Sequence, residues 1–179
     1  MALKKHVADG SLYVWALLRM VLGFVFLWAF LDKLLGLGFS TCKDKVSGDV
    51  TVSCSDAWIN GGSPTSGFLG HGVTGPFTDF YHHLAGVAWV DWLFMLGLLF
   101  IGVGLLFGIY VRAAAFTGIV LLLLMYSALL WPANTPLIDE HLIYALVLFG
   151  VALVDEHQVW GYRGWWVKTS LAKKFPLLR

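Results

Sequence analysis

Residues 12–35 read LYVWALLRMVLGFVFLWAFLDKLL. Of these 24 residues only Arg19, Asp32 and Lys33 are charged. A bilayer core of about 30 Å needs roughly 20 apolar residues per helix. Lipid offers a bare backbone no hydrogen-bond partner, so a run like this is a helix. It is too long for a cleavable signal peptide, carries Arg19, and is followed by no small-residue cleavage site.

Three further stretches resemble it in character. They are residues 92–110, 113–131 and 137–154, the last being shorter and opening on charged residues. The whole chain of 179 residues is 59% hydrophobic and 13% charged, with a mean hydropathy of +0.77. Soluble domains carry about 25% charge. The length allows one domain, 1–179. A net charge of +1 gives no sign of nucleic-acid binding, and the hydrophobicity excludes disorder over most of the chain. The expectation is an all-α integral membrane protein, an antiparallel bundle of four spans with a long non-cytoplasmic loop over 36–91.

Lys and Arg placement sets the direction of crossing. Lys4, Lys5, Arg112, Arg163, Lys168, Lys173, Lys174 and Arg179 fall on one side, against Lys43 and Lys45 on the other. Both termini, including the basic tail 155–179, are expected in the cytoplasm, with the protein in the plasma membrane. Trp89, Trp92 and Trp131 mark the expected outer boundary, and Trp15, Trp160, Trp165 and Trp166 the inner one. Gly97, Gly102, Gly104 and Gly108 permit close helix approach, read as packing within the bundle. A homo-oligomer stays open.

The outer loop carries the only two cysteines, Cys42 and Cys54. On a non-cytoplasmic face a structural disulfide is the main reading, worth about 3 kcal/mol in the chain-entropy model. The spacing lacks the C-x-x-C of a thioredoxin-like pair. Residues 50–54 are expected to pair as a strand with the segment near Cys42, and 78–88 to form a short surface helix.

Ionisable residues inside spans are costly and count as functional candidates. Arg19 and Lys33 lie 14 residues apart, about four turns, and share a face. His141 and Asp155 repeat that spacing. With the first and fourth spans adjacent and antiparallel, Lys33 is expected to meet Asp139, Glu140 and His141, and Arg19 to meet Asp155 or Glu156. One reading is neutralising ion pairs that fix register. The other is a site: Lys33 holds an anion, His141 transfers protons, and Asp139 or Glu140 orients it. His6, His71, His82, His83 and His157 supply no metal-ligand spacing, so neither metal nor haem is expected.

Residues 18–27, LRMVLGFVFL, followed by Asp32-Lys33-Leu34, resemble the first helix of the DoxX/DoxD family. Asn134-Thr135-Pro136-Leu137-Ile138-Asp139-Glu140-His141, running into Tyr144, resembles its last helix. The DoxD branch fits better. That resemblance implies the membrane subunit of a thiosulfate:quinone oxidoreductase, oxidising thiosulfate to tetrathionate outside and reducing a membrane quinone. It implies a DoxA-like partner subunit, which is not expected within this chain. A quinone ring would sit among aromatic side chains such as Phe26, Phe30, Trp131 and Tyr144, with Arg19 polarising a carbonyl. The alternative is a non-catalytic accessory subunit docking onto a respiratory or redox-defence complex. A transporter is disfavoured by the lack of an inverted repeat or broken helix.

Overall fold

The computed structural model describes the chain apart from residues 1, 45, 176, 177 and 179, and apart from the side chains of residues 2–9 and 156. Expectations placed on Lys45, Arg179 and the side chains of Lys4, Lys5, His6 and Glu156 lie outside the described residues.

Helix α1 runs Ala2–Leu35, followed by α2 Ser66–His71, α3 Thr78–His82, α4 Ala88–Phe107, α5 Val111–Ala128 and α6 Glu140–Leu153. Two short helices close the order, α7 Arg163–Trp166 and α8 Ser170–Lys174. Among the described residues, three helices are long and apolar enough to cross a membrane: α1 over Gly10–Leu35, α4 and α5. Helix α6 is apolar but has 14 residues. At 1.5 Å per residue it measures about 21 Å, short of a bilayer core by itself. Pro132 and Pro136 flank its approach, and residues 130–139 stay out of helix.

Glycines set two of the helix ends. Gly36, at φ +66°, takes the left-handed conformation and donates its N–H to Asp32 O at 2.8 Å, which stops α1. Gly108, also at φ +66°, ends α4 short of the apolar stretch that the sequence carries to residue 110. The segment between α1 and α4 contains no strand among the described residues. The expected hairpin reduces to one antiparallel bridge, Lys43 with Val50. The short helix expected over 78–88 occupies only Thr78–His82.

The chain divides into two compact units. The first is Met1–Val25, Phe100–Leu123 and Glu140–Arg179. Its buried residues include Ala16, Leu22, Ile101, Leu105, Ala114 and Leu148. A Cβ on Gly23 would lie 2.5 Å from Leu106 N, so α1 and α4 touch backbone to backbone here. A Cβ on Gly150 would strike the Trp15 ring, so α1 and α6 are neighbours, and one on Gly104 would strike Tyr110 and Ala114 at the start of α5. Gly104 and Gly108 are therefore used in packing within the chain, whereas Gly97 faces open space.

The second unit is Phe26–Leu99 with Leu124–Asp139. Its small core gathers Leu69, Val73, Tyr81 and Ala128, with Phe68, Leu84 and Val90 against it. The Tyr81 hydroxyl donates to Leu124 O at 3.0 Å and pairs with Ser127 Oγ at 2.5 Å. Thr74 N donates to Ala128 O. The segment between α1 and α4 is thus packed down onto the end of α5 through bonds as well as apolar contact.

Large apolar side chains point outward on all the long helices. Phe24, Leu93, Phe116 and Leu146 are each more than half exposed. A protein in water would bury such a face; lipid solvates it.

Candidate functional site

Helix α1 carries Arg19 into the interior of the first unit, where it is 1% exposed. A buried guanidinium must be hydrogen-bonded to persist. Here the acceptors are backbone carbonyls. Nη1 donates to Leu105 O at 2.5 Å and Leu106 O at 3.4 Å, and Nη2 to Trp160 O at 2.7 Å and Val159 O at 3.3 Å. Leu105 and Leu106 stand in the last turn of α4, whose carbonyls find no partner inside the helix. A cation there also meets the negative end of the helix dipole. Arg19 therefore caps α4 and fastens the 159–160 segment to it.

Gln158 belongs to the same cluster. Its Nε2 donates to Gly108 O at 3.2 Å and Asp155 Oδ1 at 3.1 Å. Arg19 Nε and Gln158 Oε1 are both buried with no hydrogen-bond partner among the described residues. They border a cavity of about 10 Å³ walled by Leu12, Trp15, Ala16, Val151 and Val154. That is room for about one water. Asp155, 1% exposed, pairs with Arg163 at 3.3 Å and Arg112 at 3.6 Å. The acidic residue expected opposite Arg19 does act on it electrostatically, and is also bridged to two other arginines.

Asp32 and Lys33 close α1 in the second unit. The Asp32 carboxylate accepts from the backbone N–H of Phe39, Ser40 and Thr41 at 2.9–3.0 Å, and from Ser40 Oγ at 2.7 Å. Lys33 Nζ donates to Ser40 Oγ at 3.2 Å. The cation expected to hold an anion is tied to the same loop serine. Three residues after Thr41, the loop bends around Asp44, whose carboxylate accepts from Ser47 N and Val46 N. Those bonds hold the Asp44 carboxyl below its ordinary range. Cys42 and Cys54 form the disulfide, with Cα atoms 5.6 Å apart.

Asp139, Glu140 and His141 are consecutive where α6 begins. Asp139 is half-buried, Glu140 exposed and His141 buried. One ligand atom from each lies within 4.8 Å of the others. The set combines an imidazole with two carboxylates that can orient it or exchange a proton with it. The same three atoms would also suit a divalent metal ion. Of the aromatic residues expected around a quinone, Phe26 is buried and Phe30 half-buried, while Tyr144 is 38% and Trp131 67% exposed.

Asp91 and Gln158 were not among the sequence candidates. Asp91, 6% exposed, accepts from Ser63 Oγ at 2.9 Å, Thr65 N at 3.2 Å and Thr65 Oγ1 at 2.5 Å. Its signal was an acidic residue at the start of an apolar helix, where a carboxylate suits the dipole. Gln158 gave none, being one neutral residue after a charged triplet. Tyr110, stacked on Phe100 at 4.6 Å and edge-on to Trp166 at 5.3 Å, has its hydroxyl pKa raised by burial.

No protein-family model matches the chain, and no curated protein or solved structure matches it either.

Proposed function

We propose that the chain is the membrane subunit of a quinone-linked oxidoreductase acting on a reduced-sulfur anion such as thiosulfate. Two thiosulfates join through a new S–S bond to give tetrathionate and release two electrons. A quinone takes those electrons with two protons and becomes the quinol. In this reading α6 with residues 137–139 forms the fourth span of an antiparallel bundle in the plasma membrane, both termini being cytoplasmic. A DoxA-like subunit or a larger respiratory assembly completes the enzyme.

The observation that carries the reading is the acid–base set at Asp139, Glu140 and His141, with the imidazole buried and the carboxylates beside it. Quinone reduction needs proton donors at the membrane boundary, and this set supplies them. The resemblance of residues 18–34 and 134–144 to the DoxX/DoxD helices supports the same assignment. The test is thiosulfate-dependent quinone reduction by the purified protein, with and without co-purifying partners. His141→Gln should lower turnover by about 10²–10⁴-fold, the usual worth of a positioned proton donor, while thermal unfolding stays unchanged. Unaltered turnover in that variant removes His141 from the mechanism.

One observation favours the accessory reading. Arg19, Asp32, Asp91 and Asp155 are all held by partners in their own chain. That is the pattern of charges used to fix structure. An accessory subunit shows no turnover in any preparation, is retained in a large respiratory assembly, and tolerates His141→Gln.

A further inference from the structure

Helix α5, Val111–Ala128, has 18 residues and measures about 27 Å. A bilayer core is about 30 Å thick, so a span this short ends no higher than the edge of the hydrocarbon. Whatever is bonded to its last turn shares that level. The segment 74–84 is bonded there. Thr74 N donates to Ala128 O at 3.0 Å, and the Tyr81 hydroxyl reaches Leu124 O and Ser127 Oγ. Leu124 stands four residues inside the end of α5, about 6 Å along its axis.

The sequence of this segment has two sides. Tyr81 N donates to Phe77 O and His83 N to Asp79 O, so the backbone is helical through this stretch. At that spacing Phe77, Phe80, Tyr81 and Leu84 fall on one side, and Asp79, His82 and His83 on the other. Tyr81 and Leu84 pack with Leu69, Val73 and Ala128. Phe77 and Phe80, on the same side, are 48% and 61% exposed. Asp79, His82 and His83 are exposed as well. An apolar stripe with a polar back, held about 6 Å inside the end of a span, is the arrangement of an interfacial helix, which sinks its apolar face about 5–10 Å into the boundary between headgroups and acyl chains.

We propose that residues 77–84 lie in the interface of the leaflet that α5 reaches at Ala128, with Phe77 and Phe80 seated among lipid acyl chains and Asp79, His82 and His83 turned to the headgroups. The inference rests on α5 crossing a membrane and is independent of any redox role.

Cys42 and Cys54 are bonded to each other, so an introduced thiol takes a nitroxide label alone. Labels are placed singly through Phe77→Cys, Phe80→Cys and His82→Cys in the full chain, in phosphatidylcholine nanodiscs. Phe116→Cys, 67% exposed on α5, and Val46→Cys, 98% exposed in the turn after Asp44, serve as lipid and water references. Relaxation of each label is measured with oxygen, which concentrates in hydrocarbon, and with a water-soluble nickel chelate. The oxygen-to-nickel ratio at positions 77 and 80 should shift to the Phe116 value, and that at 82 should stay near the Val46 value. A ratio at 77 and 80 equal to that at 46 overturns the proposal. So does shielding of both positions from both reagents, the result expected where a second protein covers them. A further readout needs no substitution and decides if the cysteine variants fail to fold. A lipid carrying a diazirine on its acyl chain should label Phe77 and Phe80 of the unaltered chain and leave Val46 unlabelled. Labelling confined to the long helices overturns the proposal.

Discussion

Replacing Gly23 with Ala tests the tightest contact in the first unit. The new Cβ would lie 2.5 Å from Leu106 N, 2.9 Å from Leu106 Cα and 3.0 Å from Leu105 C. All three are backbone atoms, which cannot rotate away. Ordinary contact begins near 3.4 Å, so α1 and α4 must separate by about 0.9 Å. Arg19 sits one turn earlier on α1, and its Nη1 bonds are to these same two residues. The bond to Leu105 O can stretch and survive, whereas the one to Leu106 O, already 3.4 Å, is lost. Overpacking costs about 1–3 kcal/mol. A helical Gly→Ala change returns about 1 kcal/mol through propensity. The net expectation is a loss of about 1 kcal/mol. Gly97→Ala is the internal control: nothing lies within 4 Å of its Cβ, so only the propensity gain remains. The two variants should differ by the overpacking cost alone, about 2 kcal/mol, or roughly 4–8 °C in Tm for a chain of this size. Thermal unfolding in one detergent, followed by tryptophan fluorescence, measures both. Equal Tm values for Gly23→Ala and Gly97→Ala would refute the close approach and the account of Arg19 built on it.

Asp91→Ala leaves the Ser63 and Thr65 donors without their shared acceptor. It should destabilise by roughly 2–4 kcal/mol, given the strength of hydrogen bonds to a charged group, with faster amide exchange around Thr65 as the local readout. Asp44 gives a pH dependence of known sign. Its folded pKa is depressed, so its contribution to the loop is present above the ordinary carboxylate range and disappears as pH falls through the lower, folded value. Amide exchange at Val46 and Ser47, corrected for intrinsic rate, should accelerate on acidification below that range, and Asp44→Asn should abolish the acid step.

Hydrophobic runs made α1, α4 and α5 legible, because membrane solvation leaves a length requirement that composition alone satisfies. Spacing also brought the first and fourth apolar stretches together correctly, as the contact of Trp15 with Gly150 shows. Arg19 was legible as a costly charge, but its acceptors were not. The sequence offered Asp155, which does act on Arg19 electrostatically, because side-chain charges are visible, whereas every residue carries a carbonyl. Only the three-dimensional path reveals that the free carbonyls of Leu105 and Leu106 end beneath it. The surroundings of Asp32 were hidden for a related reason. A carboxylate wrapped by three successive backbone N–H groups looks the same in sequence as one waiting for a ligand. The Gly108 break escaped notice because the apolar run continues through Ile109 and Tyr110 and conceals it.

The carbonyls that satisfy Arg19 also impose an order on how the protein is made. When α1 leaves the ribosome, Leu105 is still 86 residues away and Trp160 still 141. At about 5–20 residues per second, the wait for Trp160 is on the order of ten seconds. Throughout it the guanidinium must stay wetted, at the headgroups or within the insertion machinery, because hydrocarbon offers it nothing. Helix α1 therefore settles only after α4 and the segment that follows α6 have been made, because the Val159 and Trp160 carbonyls are what release Arg19 into place.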